Sequence, residues 1–127
     1  MSDHEKYSSP DEETIEALFE LVYENDADAV ADFLDRHRIS ANVHLLLGDM
    51  PLLHAAVDAE TEAAIHDRRY VPTDRTIRML LERGSDPTTQ YLGRTAEDAS
   101  REKGLRAADA AFAEHAQPRN DPGAITD

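Results

Sequence analysis

Apolar residues fall at helical spacing in six separate runs along this chain. Ile15, Leu18, Phe19 and Val22 recur at i, i+3, i+4 and i+7, and Glu13, Glu16, Glu20 and Glu24 lie largely on the other side, which predicts an amphipathic first helix. Ser9-Pro10-Asp11-Glu12 supplies its start, with Ser9 as the cap, Pro10 at the first helical position and Glu12 completing a capping box. Asn25-Asp26 breaks this helix. A second run follows at once, striped by Ala29, Val30, Phe33 and Leu34, and Arg36, His37 and Arg38 gather at the end where the helix dipole favours cations.

Residues 39–50 form a loop that is unusually apolar, Val43-His44-Leu45-Leu46-Leu47-Gly48. A third helix opens around Asp49 to Pro51, buries Leu52, Leu53, Ala55, Ala56 and Ala59, and runs to about Arg68. Pro72 ends it and Thr73 caps a fourth helix, with Ile77, Leu80 and Leu81 on one face and Gly84 at the stop. After a loop containing Asp86-Pro87, Thr95 caps a fifth helix with Asp98 three residues on. Gly104 ends that helix, and Leu105, Ala108, Ala111 and Phe112 stripe a sixth. The polar segments 1–10 and 117–127 read as disordered tails around one ordered domain, 11–116.

A chain of 127 residues fits one domain and buries a modest core without staples. It contains no cysteine, which excludes thiol nucleophiles, disulfides and thiolate metal sites. The polar first ten residues and the absence of any run near 18 apolar residues lead to the expectation of a cytoplasmic protein. Charge changes the picture more. There are 27 acidic against 13 basic side chains, a formal net of −14. Residues 1–35 hold twelve acids and one base, Lys6, so −11 of that charge sits in the first quarter. Such a surface repels nucleic acid and anionic membrane and steers basic partners. Solubility or adaptation to salt accounts equally well for the acid content, and lysine occurs only at positions 6 and 103.

Nothing in the chain points to an enzyme. The six histidines show no i, i+4 pairing, and neither a glycine-rich phosphate loop nor a serine-centred elbow occurs. No catalytic residue, cofactor or metal ligand is expected, and His54 reads as structural.

The chain carries an internal repeat. Gly48-Asp49-Met50-Pro51-Leu52-Leu53-His54-Ala55-Ala56 resembles the opening turn and first helix of an ankyrin repeat. Ile77-Arg78-Met79-Leu80-Leu81-Glu82-Arg83-Gly84-Ser85-Asp86-Pro87 resembles the second helix and exit turn, and Gly93-Arg94-Thr95-Ala96-Glu97-Asp98-Ala99-Ser100 the start of a further repeat. The resemblance implies an all-α ankyrin-repeat solenoid of about six short antiparallel helices with finger-like loops, in repeats of about 12–47, 48–92 and 93–116. Small alanines suit close helix approach, and no single repeat buries its own apolar face. Three departures stand out: Met50 replaces the capping threonine, Leu53 stands at the usual histidine with His54 one place later, and Ile39 falls at the exit glycine. The polar face of the fifth helix, Glu97, Asp98, Arg101 and Glu102, fits a terminal capping repeat.

The resemblance implies function by binding: a protein-protein interaction module, and more finely an inhibitor or immunity-type protein that occupies a basic partner such as a toxin, itself a monomer or weak dimer. Three places could carry it. Gly48 to Gly93 spans 45 residues, about twelve more than a usual repeat of about 33. The excess falls around Glu60 to Pro72 with Arg68, Arg69 and Tyr70, residue types enriched at binding hot spots. It reads either as a binding loop, as a neutral insertion, or as a homo-oligomer contact in a structural or assembly subunit. The two fingers, Val43 to Leu47 and Thr89 to Leu92, carry Leu45, Leu46 and Tyr91 as apolar tips, or else Leu46 and Leu47 pack finger against finger. The acidic first helical pair, with Glu16, Glu20 and Glu24, reads either as a polyanion mimic, as a dock for a basic protein, or as a solvated helix face.

Overall fold

The computed structural model describes residues 11–45 and 48–116; both expected tails, together with Leu46 and Leu47, lie outside the described residues. Six helices occur among them: α1 (Glu12–Tyr23), α2 (Ala27–His37), α3 (Leu52–His66), α4 (Arg75–Glu82), α5 (Ala96–Lys103) and α6 (Arg106–Ala116). They pair as three hairpins, α1 with α2, α3 with α4 and α5 with α6. The hairpins stack in register, α1 on α3 on α5 in one layer and α2 on α4 on α6 in the other. Two loops project between hairpins. Finger 1 closes through a single bridge between His44 and Pro51, and finger 2 through β1 (Gln90–Tyr91) antiparallel to β2 (Arg94–Thr95).

The core follows the stripes. Ile15, Leu18, Phe19 and Val22 of α1 are buried, as are Ile77, Leu80 and Leu81 of α4, and Leu105, Ala108, Ala111 and Phe112 around α6. In α2 the stripe is rotated slightly: Ala27, Val30 and Leu34 are buried, while Ala29 and Phe33 are half-buried. Leu52, Leu53, Ala55, Ala56 and Ala59 of α3 are buried as expected. His54, Val57, Glu60 and Thr61 join them, because α3 is covered by α1, α4 and α5 together. A helix enclosed on three sides has little solvent face, and its three buried alanines, Ala55, Ala56 and Ala59, permit that approach.

Several ends differ from the sequence reading. The cap of α1 is Asp11, whose carboxylate accepts the Thr14 N–H at 2.9 Å, so the helix begins at Glu12 and the box expected at Ser9 and Pro10 does not set its start. An ionised carboxylate is the stronger acceptor for that orphan N–H. Thr73 does not cap α4: Asp74 occupies that position, with its carboxylate on Arg78 instead of the backbone. The N–H of Thr73 goes to Glu60. Helix α3 stops at His66, short of Arg68, where the Asp67 carboxylate turns back to accept the Arg69 N–H and offers the chain an alternative to another helical turn. About half of the Glu60 to Pro72 segment, expected as an insertion, is therefore helix.

The exits of α2, α4 and α5 share one geometry. Arg38, Gly84 and Gly104 have φ of +55°, +101° and +71°. The next residue in each case, Ile39, Ser85 or Leu105, is buried and returns its N–H to the carbonyl of Leu34, Leu80 or Ser100. The left-handed position at the exit of α2 is thus Arg38, not Ile39, where a β-branched side chain would be strained. Pro51 at the start of α3 makes no capping hydrogen bond, whereas Thr95 and Asp98 form a full capping box on α5.

Candidate partner-binding groove

A face shared by α1, α3, α5 and the two fingers carries adjoining hollows. The first begins on α1, where Glu16, Glu20 and Glu24 follow one another at i, i+4, i+8 and are exposed, beside Phe19 and Tyr23 on the adjacent ridge. Leu45 of finger 1 forms the opposite wall. Phe19 is only 5% exposed, and Leu45 is half-buried against the core with its N–H on the Met50 carbonyl at 2.8 Å. Floor and wall are therefore apolar and the rim is acidic.

Tyr23 links this hollow to the next. Its hydroxyl donates to Oδ2 of Asp58 at 2.6 Å, and burial, followed by this carboxylate, raises the phenol above its ordinary pKa. Asp58 lines the second hollow with Val57 and Thr61 of α3, Tyr91 and Leu92 of finger 2, and Lys103 of α5. His54 lies beneath. It is 6% exposed, its Nε2 is 2.9 Å from the carbonyl of Arg94, and its Nδ1 is buried with no partner among the described residues. A carbonyl only accepts, so Nε2 carries a hydrogen, and a second one on Nδ1 would find no acceptor there. Burial holds its pKa below the usual histidine value, with the Arg94 bond opposing and His44 adding slightly. Tyr91 meets this ring edge-on at 5.7 Å between centroids. Tyr91 is consequently half-buried and does not form the tip of finger 2; that place belongs to Leu92, 83% exposed and held at φ +56°.

The charges along the face are not balanced. Arg36 pairs with Asp32 at 2.6 Å, Arg83 with Asp35 at 2.6 Å, and Arg75 approaches Asp28 at 3.8 Å, so basic residues attend the acids of α2. Arg78 joins Asp74 and Glu114, and Arg94 joins Glu102. Glu16, Glu20 and Glu24 have no cationic partner among the described residues. Three carboxylates without a cationic partner thus stand where the apolar hollow opens, although Glu12, Glu13, Asp67 and Glu82 elsewhere lack one too among the described residues.

Of the residues singled out from sequence, Glu16, Glu20, Glu24 and Leu45 come together here, and Tyr91 lies in the adjoining hollow. Leu46 is outside the described residues. Arg68 and Arg69 stand apart on the insertion, exposed, and neither guanidinium meets a carboxylate among the described residues. Tyr70 is half-buried and held: it and Thr73 both donate to Oε1 of Glu60, at 2.7 and 2.9 Å. Glu60 itself is 1% exposed. Sequence reasoning missed Tyr23, Asp58 and Leu92. Asp58 gave a signal, as the lone acid in the otherwise apolar stretch from Leu52 to Ala59 apart from His54.

Among the described residues no group of three or more histidine, aspartate or glutamate side chains is placed to hold a metal ion, and no helix is long and apolar enough to cross a membrane. Comparison of the chain with protein-family models, with curated proteins and with solved structures returned no match to any of them.

Proposed function

We propose that this protein is a binding module of the ankyrin kind that occupies a basic partner protein, in the manner of a small inhibitor or immunity-type protein, and that the α1–finger 1 groove is where the partner seats. The observation that carries the reading is the unpaired line of Glu16, Glu20 and Glu24 above the Phe19–Leu45 hollow. A partner segment that alternates arginine or lysine with a large apolar side chain satisfies both: the apolar group covers Phe19 and Leu45, and the cations meet the carboxylates at the rim. Three further features favour the ankyrin kind: the register of the three hairpins, the two fingers, and the shared exit geometry at Arg38, Gly84 and Gly104. A rim of exposed charge acts mainly on encounter rate and partner choice, while the apolar floor supplies the retention.

The test is titration of the intact chain with a basic, leucine-containing peptide, followed by amide chemical shifts. Shifts should concentrate at Glu16 to Glu24 and Leu45. Affinity should fall on the order of tenfold between about 50 mM and about 500 mM salt, and by a similar factor in Glu16→Gln/Glu20→Gln/Glu24→Gln. Shifts elsewhere, or an affinity indifferent to salt and to the triple variant, would remove the groove from the proposal.

A further inference from the structure

The chain carries a surface of the opposite kind. The end of α3 and the turn after it form a tip where Ile65 and Val71 are 67% and 76% exposed, two of the four large apolar side chains that stand out from the described surface. Between them lie Arg68 and Arg69, both exposed and with no carboxylate on either guanidinium among the described residues. In a chain of net charge −14, most described arginines are drawn to an acid. These two are not. The tip is also preorganised, since Tyr70 and Thr73 tie it to the buried Glu60 of its own α3. Neither arginine touches the groove of its own chain.

We infer that the groove formed by Glu16, Phe19, Glu20, Tyr23, Glu24 and Leu45 receives the Ile65–Val71 tip of a second copy of this chain. The match is one of composition on both sides: two cations flanked by two exposed aliphatic side chains, against three unpaired carboxylates over an apolar floor. Preorganisation lowers the ordering cost of docking such a loop. Tip and groove are different surfaces, so the contact either closes as a reciprocal pair or extends head to tail. In both cases the second copy competes with a basic partner for the same carboxylates, which makes self-association a brake on partner binding. The inference rests on the groove's preference for basic, apolar segments, but adds an occupant that this preference alone does not require.

Sedimentation of the full chain from about 10 µM to about 1 mM separates the two ideas. The wild-type chain should associate with concentration at about 50 mM salt, and on the order of tenfold more weakly at about 500 mM. Arg68→Glu/Arg69→Glu reverses the tip, and Glu16→Lys/Glu20→Lys reverses the groove; each variant alone should remain monomeric with unchanged helicity. Mixed in equal amounts they should associate again, because each supplies the complement the other lost. A wild-type chain that stays monomeric throughout, association that survives either reversal, or a mixture that stays monomeric overturns the inference. Binding of the basic peptide at Glu16 to Glu24 by a chain that never self-associates would overturn it while leaving the groove's partner reading intact.

Discussion

The hydroxyl of Tyr70 donates to Oε1 of Glu60 across ten residues, at 2.7 Å, and so converts a surface insertion into a fixed hook. Glu60 is buried with neutral donors on this oxygen, so each hydrogen bond counts toward solvating its carboxylate. Tyr70→Phe should cost about 1–3 kcal/mol in urea unfolding. It should also speed tryptic cleavage after Arg68 and Arg69, because the tip is released. The phenol of Tyr70 is pushed up to about 12, first by burial and then by Glu60, so its ultraviolet titration should fall well beyond that of a free tyrosine. Cleavage no faster than in the wild type would mean that the hook does not hold the tip.

His54 predicts a pH dependence. Its folded pKa lies below 6.5, chiefly through burial, so the unfolded chain takes up the proton first as pH falls. The stability contributed by the neutral ring is complete above about pH 6.5 and drains away as pH drops through that value toward the folded pKa. His44, Arg94 and Tyr91 are titratable neighbours, Asp58, Glu102 and Lys103 line the hollow above, and among the described residues none places an acceptor on Nδ1. His54→Gln keeps a donor for the Arg94 carbonyl and does not titrate. The wild type should therefore lose more stability than this variant between about pH 7.5 and about pH 5.5, as read by urea midpoints. Equal losses would place the dependence elsewhere.

The capping box on α5 is a local test. Thr95 Oγ1 accepts the Asp98 N–H at 3.1 Å, and Asp98 Oδ2 accepts the Thr95 N–H at 3.2 Å. The Thr95 N–H on Oδ2, followed by the Thr95 side chain, holds the Asp98 carboxyl below its usual range. Thr95→Ala should lower stability by about 1 kcal/mol and raise the Asp98 carboxyl only part of the way, because the backbone N–H stays in place, measurable by carboxyl carbon shifts during an acid titration.

Asn42 ties the first exit loop to the second. Its Nδ2 donates to the Gly84 carbonyl at 2.9 Å and its Oδ1 accepts the Asp86 N–H at 2.7 Å, beside a 2.6 Å bond from Ser85 Oγ to the Ala41 carbonyl. Asn42→Ala should destabilise by about 1–2 kcal/mol, and amide exchange should rise at Asp86 before it rises in the core of α4. Exchange that rises uniformly would mean the clamp is not local.

The helices and most of the core were legible in the sequence because each stripe buries against one neighbouring layer, as with Leu18, Leu80 and Phe112. The rule weakened at α3. A helix covered by α1, α4 and α5 buries polar side chains as well, and no periodicity announces that Glu60 will be solvated by Tyr70. Helix starts were legible where one acceptor served one N–H, as at Thr95. They were not where two roles competed for a carboxylate, as at Asp74, which went to Arg78. At the candidate groove, Glu16, Glu20, Glu24 and Leu45 were all visible as separate candidates. Their meeting was not, because it depends on the fold of finger 1 over α1. Tyr91 was misplaced at a tip because its contact partner, His54, lies 37 residues earlier in the chain.

The bond from Tyr23 to Asp58 joins the most acidic hairpin to the middle one. Hairpins that pack neighbour by neighbour pass mechanical information only through their shared seams. Glu16, Glu20 and Glu24 are like charges at i, i+4 spacing, which weakens α1 taken by itself, so the seam with α3 supports a helix that its own charges oppose.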